Sequence, residues 1–316
     1  MPLVLIHTRL LMVCSVFLIC SLLSAQKNET PLSIAKTSTH QIELRHDNDF
    51  FVFRDRYYTT GSFITYRNAL KNSSFSNGKE QLEIAILQQY YTPNNIKSNK
   101  VEDFDRPYVG YLGISTGWSF AGNSEFLLFK VGTGMMGPIA GAEEFQGLFH
   151  SSGGIDTPPW AAQIKNSVHI NFQTTYAKEW QLALNPMSVR IALKPSLAFG
   201  TKDIYLQPEA VLYFGKRNPI TSSSAYNQIG VLDREFYFSF GAAYRRVLHN
   251  SLLEGHPRHD SSVFLVEAEK GLVLFNYEFV YRAGRNTYKL AQNYVSKESE
   301  ATKAHITFGF IIARSF

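Results

Sequence analysis

The sequence predicts an all-β protein, a transmembrane antiparallel β-barrel of about twelve strands with a short helix in its third extracellular loop. Three observations carry this. Segments of alternating polarity recur from end to end, with no linker or low-complexity break to divide them. Beyond the N-terminal leader no run reaches ~18 consecutive apolar residues, so no transmembrane helix is expected. The chain holds 24 Phe and 17 Tyr among 316 residues, many near the ends of the alternating segments, as in the aromatic girdles of a barrel at its two membrane interfaces.

Residues 1–25 are expected to be an export signal, leaving 26–316 as a single barrel domain. Arg9 supplies the positive flank, Leu10 to Leu23 an apolar run, and Ser24-Ala25 a small-residue cleavage site, followed by polar Gln26-Lys-Asn-Glu-Thr. An N-terminal membrane anchor is the alternative. Both cysteines, Cys14 and Cys20, fall inside the leader, so the exported chain is expected to hold itself together without disulfides. Removing the leader leaves 30 basic against 26 acidic side chains. That mild excess, with no basic stripe interleaved with aromatics, excludes a nucleic-acid partner and is compatible with an anionic lipid headgroup.

Alternation predicts strands over 41–53, 57–70, 80–92, 109–121, 124–135, 167–179, 187–200, 203–215, 233–247, 262–270, 272–284 and 301–315. The last shows the period best: Ile306, Phe308, Phe310 and Ile312 share the lipid-facing parity, and His305, Thr307 and Gly309 the lumenal one. Phe316 ends the chain on the lipid-facing parity, as in barrels inserted into the outer membrane. A soluble sandwich with one buried face would alternate in the same way, so that reading stands beside the barrel. Closure follows if the sheet lies in lipid, where an open edge leaves backbone groups unpaired. With both termini in the periplasm, the outward connections are 54–56, 93–108, 136–166, 201–202, 248–261 and 285–300, whereas the Asn/Ser/Gly-rich 71–79 suits a periplasmic turn.

The longest outward connection contains Gly137-Pro-Ile-Ala-Gly-Ala-Glu-Glu-Phe-Gln146-Gly-Leu-Phe-His150. Gln146 and His150 lie one helical turn apart and share a face. The hairpin of the first two strands brings Asn48, Asp49 and Thr59 to the same end, and the next outward loop brings Asp105-Arg106-Pro107-Tyr108. Topology, rather than any single motif, makes these four stretches converge. Glu143-Glu144 read as the solvated face of the helix, and Asp105-Arg106 as a structural ion pair.

These residues resemble the lipid A 3'-O-deacylases of Gram-negative outer membranes. The resemblance covers nearly the whole exported chain and is strongest in Asn48-Asp49, Tyr58-Thr59-Thr60-Gly61, Gln89-Tyr-Tyr-Thr-Pro93, Asp105-Arg106-Pro107-Tyr108, Gly137-Pro138, Gln146-x-x-x-His150 and Trp160-x-x-Gln163. It implies a twelve-stranded barrel whose site, facing the cell exterior, lies between the barrel wall and a helix in the third outward loop. The implied activity is calcium-dependent hydrolysis of the ester holding the 3' acyloxyacyl group of lipid A in the outer leaflet. His150 matches the general base, Gln146 its helix neighbour, and Asn48, Asp49 and Thr59 the polar rim. Lys97, one residue out of register, is the nearest match to a substrate-binding loop lysine. The chain is expected to act as a monomer.

The chemistry fits these residue types. A neutral imidazole, titrating near neutrality, removes a proton from water, which is typically worth ~10²–10⁴-fold. Oxyanion charge is met by the Gln146 amide, or by Ca²⁺ held through Asp49 and carbonyl oxygens. Asp49 is a hard oxygen ligand, and no His/Cys cluster suggests zinc. Against this stand an ordinary loop histidine at 150, plain turn chemistry at Asn48-Asp49 and a strand-forming role for Thr59. Two other classes remain open. His150-Ser-Ser-Gly-Gly154, in a Gly-rich loop, loosely resembles outer-membrane phospholipase A, with Ser152 as nucleophile. A non-enzymatic structural or adhesive barrel is the third possibility.

Overall fold

The alternating segments form one closed sheet. The structure is a computed structural model that describes residues 38–49, 56–71, 78–154, 156–183, 188–230 and 234–316. The expected export signal, the end of the first expected strand and most of the 71–79 turn lie outside these residues. Strands β1 (His40–Asn48), β2 (Tyr57–Ala69), β3 (Lys79–Thr92), β4 (Val109–Ala121), β5 (Glu125–Met136) and β6 (Ser167–Ala183) each pair antiparallel with the next. So do β9 (Glu235–Asn250), β10 (Gly271–Ala283), β11 (Asn286–Val295) and β12 (His305–Ser315). Between them β7 runs as Val189–Leu193 and Ser196–Gly200, and β8 as Asp203–Gln207 and Glu209–Lys216. Pro195 and Pro208 sit at the two breaks and lack the N–H a ladder needs. Their carbonyls still accept from Tyr176 and Tyr244, so the fourteen paired stretches of the sheet are twelve strands. β12 returns to β1 from Gln41↔Ser315 to Asn48↔Phe308, which closes the barrel.

The polarity is inverted relative to a soluble protein. Ile42, Leu44, Ile64, Ile84, Ile86, Ile114, Phe129 and Val131 are exposed, while their neighbours Glu43, Arg67 and Glu83 face inward. Arg67 donates to Glu43 at 3.0 and 3.1 Å and to Glu83 at 3.2 Å, and Lys130 reaches Glu83 at 2.6 Å. Apolar-out, charged-in alternation is what lipid selects, and it removes the sandwich reading. β12 keeps the expected parity, and Phe316 is half exposed.

Two expected elements are corrected. Residues 262–270 are not a strand. Their apolar side chains dock a long loop over the barrel mouth: Phe264 packs on Phe104, Leu265 against the Tyr91/Val109 cluster and Val266 against the Val247/Leu253 cluster. Conversely, β11 falls inside the connection expected over 285–300. Its inward residues include Lys289 and Thr287, both buried, so it reads as polar when apolar residues alone are counted. The connection Gly284-Arg285 is thus a tight turn at the end where the chain termini lie, and the strand count stays even.

The lumen is closed by chain as well as by side chains. The connection from β8 to β9 folds back into the barrel at the terminal end, burying Ile220, Tyr226, Gln228 and Ile229. Glu235 accepts from Asn218 N, Ser223 Oγ, and Ser224 N and Oγ at 2.7–3.0 Å. Arg282 donates to the carbonyls of Ser222 and Gln228, and Lys289 to Ser224 O and Asn227 Oδ1. At the far end buried Arg106 ties three loops together, donating to Glu298 at 3.1 Å and to Leu252 O at 3.4 Å. It is not paired with Asp105, as the sequence suggested. Asp105 instead accepts from Tyr57 OH and Asn94 N.

Candidate active site

The helix expected around Gln146 and His150 is α1, Ala142–Ser152. Gly141, at φ 67, turns the chain into it, and Glu143 and Glu144 sit in the first turn, where the helix dipole favours acids. His150 therefore lies in the last helical turn, and Ser151-Ser152 continue the helix rather than a Gly-rich loop. Spacing by four sets the two faces. Ala142, Gln146 and His150 are buried (2%, 1% and 6% exposed), while Phe145, Leu148 and Phe149 are exposed. A polar stripe turned in and an apolar stripe turned out suit a helix lying against a barrel in lipid.

The register identifies the wall it lies on. Ile84, Ile86 and Gln88 share the outward parity of β3 with Tyr90, and Leu112 and Ile114 share that of β4 with Gly110. A Cβ at Gly110 would stand 2.5 Å from that of Ala142 and 3.2 Å from that of Ala140. The start of α1 thus rests on bare backbone of the outer wall. Gln88 Nε2 donates to Ala140 O at 2.8 Å from the same face. Gly110 and Gln88 were missed by sequence reasoning; only their place in a strand was legible.

Along the far rim, pairing lines up Asn48↔Thr60, Thr60↔Tyr90 and Tyr90↔Gly110 on that outer face. Asn48 Nδ2 donates to Thr60 Oγ1 at 3.0 Å. Thr59 is the extra residue of a bulge between Tyr58 and Thr60. Bulges re-aim side chains, and here the Thr59 hydroxyl meets that of Thr92 at 2.8 Å. Asp49 follows at the rim: its N–H donates to Thr59 O at 3.4 Å, and its Oδ2 accepts from Arg56 N at 2.8 Å. The expected trio of Asn48, Asp49 and Thr59 is brought together. Tyr90 links it to the helix, its ring 6.4 Å from Phe145 and 6.3 Å from Trp160.

The segment after α1 folds back along the buried stripe. The Asp156 carbonyl accepts from His150 Nδ1 at 2.7 Å, which makes Nε2 the basic nitrogen. Trp160 Nε1 donates to Gln146 Oε1 at 2.7 Å. Gln163 Nε2 donates to Glu143, so Glu143 is partnered rather than merely solvated. Trp160 lies 5.1 Å from Tyr108, whose hydroxyl donates to Ile96 O at 3.3 Å. Lys97 follows Ile96 and is exposed beside this aromatic cluster; no contact brings it onto the helix. Ser152 is also exposed, and its hydroxyl donates to Leu148 O in its own helix at 2.7 Å. Two residues from His150, it points to a different face.

Among the described residues no group of three or more His, Cys, Asp or Glu is arranged to hold a metal. The donors around Asp49 are oxygens of side chains and backbone, a set that fits a hard cation in kind and leaves part of a six- to eight-oxygen shell to water or substrate.

The model of the outer membrane protein LpxR family matches residues 11–314. The chain belongs to that family. The match bears out the resemblance read from the motifs and places the barrel in the outer membrane. Among solved structures, LpxR from Salmonella typhimurium superimposes with a TM-score of 0.74 at 18% identity, covering 87% of this chain and all of that one. At that identity the LpxR likeness speaks for the fold alone. The β domain of the Bordetella autotransporter Brka (TM-score 0.45, 11% identity, 90% of this chain and 100% of that one) and the translocator domain of NalP from Neisseria meningitidis (0.45, 11%, 93% and 91%) are weaker likenesses. No curated protein matches the chain.

Proposed function

We propose that this LpxR-family barrel is a carboxylic ester hydrolase that removes the 3' acyloxyacyl group of lipid A, acting as a monomer from the outer leaflet. The observation that carries the reading is the burial of His150 and Gln146 between α1 and the outer wall, at the end of the barrel away from the termini. A lipid with its headgroup at this rim reaches such a site laterally, its acyl chains staying in the bilayer beside exposed Phe145, Leu148 and Phe149. With the termini in the periplasm, this rim faces the cell exterior.

His150 Nε2 takes a proton from water as the water oxygen attacks the ester carbonyl. The tetrahedral oxyanion accepts from the Gln146 amide. On collapse the C–O ester bond breaks, and the imidazolium returns the proton to the departing 3' oxygen, leaving a sugar hydroxyl and a fatty acid. Asn48 and Thr59 position the polar part of the substrate, and Lys97, on its exposed loop, meets substrate phosphate. Asp49, with neighbouring carbonyl oxygens, would hold Ca²⁺. When bound, that ion supplies Lewis-acid stabilisation of the oxyanion.

The test is mass spectrometry of lipid A from cells expressing the wild type or His150→Ala, each with and without a calcium chelator. Loss of one 3' acyloxyacyl unit with the wild type in calcium, and in no other sample, supports the reading. Unchanged lipid A beside a folded wild-type barrel sinks it, and phospholipids become the next substrate to test.

A further inference from the structure

The segment from Asp156 to Trp160 runs antiparallel to the buried stripe of α1. Asp156 meets His150 and Trp160 meets Gln146, so a four-residue step on the strap spans a four-residue step on the helix. Pro158 and Pro159 stiffen the strap by restricting its backbone. Trp160 itself takes φ 44, and Ala162 φ 51, in the left-handed region that side chains with a Cβ rarely adopt. Strain of this kind, of order 1–3 kcal/mol, persists only where the surroundings over-determine it. What over-determines it here is the seat of the indole. Trp160 is 3% exposed, flanked by Tyr108 at 5.1 Å and Tyr90 at 6.3 Å, with its single donor aimed at a Gln that is 1% exposed.

An indole N–H is a donor only, whereas a glutamine amide offers an acceptor at one end and two donors at the other. An amide turned the other way would set N–H against N–H. The indole therefore fixes which end of the amide is which. We infer that Trp160 is a positioning residue: it holds the Gln146 oxygen so that the amide NH2 is presented to the oxyanion. This rests on the proposed ester hydrolysis for the oxyanion, and on the geometry alone for the orientation. The strap then performs one task twice. Its carbonyl at Asp156 selects the basic nitrogen of His150, and its indole selects the donor end of Gln146.

The experiment is a double-mutant cycle of Trp160→Phe and Gln146→Ala, measured as kcat and KM for lipid A in detergent micelles. Barrel folding is checked by heat-modifiable gel migration. Losing a fixed oxyanion donor costs ~10²–10³-fold, so Trp160→Phe is expected to lower kcat by about tenfold to a hundredfold with KM unchanged. It should add nothing once Gln146→Ala is present. Should Trp160→Phe fail to fold, the benzothienyl analogue of Trp at 160 keeps the shape and removes only the donor. Independent losses that multiply, or full kcat without the donor, overturn the inference and leave the reaction standing. The ¹⁵N-indole signal of Trp160, protected from exchange in the wild type and not in Gln146→Ala, reads the hydrogen bond without any activity. Protection lost in Gln146→Ala together with an inactive wild type would sink the proposed reaction and spare the orientation. Protection unchanged in that variant overturns the inference.

Discussion

Replacing Gly110 by Ala tests the seat of the helix with one methyl group. The new Cβ would stand 2.5 Å from the Cβ of Ala142 and 3.2 Å from that of Ala140, whereas carbons at optimal separation are ~3.5–4.0 Å apart. The start of α1 must therefore retreat from the wall by about 1–1.5 Å. Overpacking of this kind costs about 1–3 kcal/mol, which a barrel held by closed antiparallel pairing absorbs, since β3 and β4 keep their ladder. Catalysis is less forgiving, because a misplacement of ~1 Å costs ~10²-fold. The expected outcome is a fall of about a hundredfold in lipid A deacylation by a barrel that migrates as folded. Gly132→Ala, whose Cβ would meet Ser115 at an ordinary 3.4 Å, is the control and keeps its activity. Full activity in Gly110→Ala, or equal losses in both variants, would refute the argument that contact with bare β4 backbone positions Gln146 and His150.

Three further outcomes follow from the geometry. Ser152→Ala should leave lipid A and phospholipid hydrolysis unchanged, because the hydroxyl is bound to Leu148 O on another face of the helix; abolished turnover would restore the serine-esterase reading. The wild type should show no steady pore in planar bilayers, because the β8–β9 connection fills the terminal end. Glu235→Ala removes the acceptor of four donors and the partner of Arg282 at 3.2 Å. Breaking a buried pair costs ~3–5 kcal/mol, so that variant should leak, and a sealed variant would count against the plug. The third outcome concerns Asp260, in the loop over the mouth, whose carboxyl lies below its usual value. Burial pushes it up, but is outweighed by hydrogen bonds from Ser262 and from the backbone N–H of His256, and by the nearby His256 ring. A lowered folded value means that its stabilisation is present above the ordinary value of 3.8 and is lost as pH falls through the folded one. Amide protection around 256–262, corrected for the slower intrinsic exchange in acid, should therefore fall below that range, and protection there as high as at neutral pH would contradict it.

The sequence by itself determined the strands and which residues share each face, because alternation with period two is a local property readable along each strand. That the sheet closes and turns its apolar face outward, a barrel and not a sandwich, was decided by the structure. The sequence also determined the helix and its polar stripe, since Gln146 and His150 share a face at any helical spacing of four, and the side of the barrel on which Asn48, Asp49 and Thr59 meet. The places where it misled are places where composition and environment part company. β11 carries Lys289 into the lumen and so looks like loop, whereas 262–270 is apolar because it caps other loops rather than facing lipid. Only the tertiary structure decided which strands the helix lies on, through Gly110 and Gln88, residues that sit 32 and 52 positions from their partners Ala142 and Ala140. It alone showed the bulge that re-aims Thr59, the plug drawn into the lumen, and the strap whose Asp156 carbonyl and Trp160 indole meet His150 and Gln146. Each depends on contacts between stretches far apart in the chain, and no local pattern carries that information.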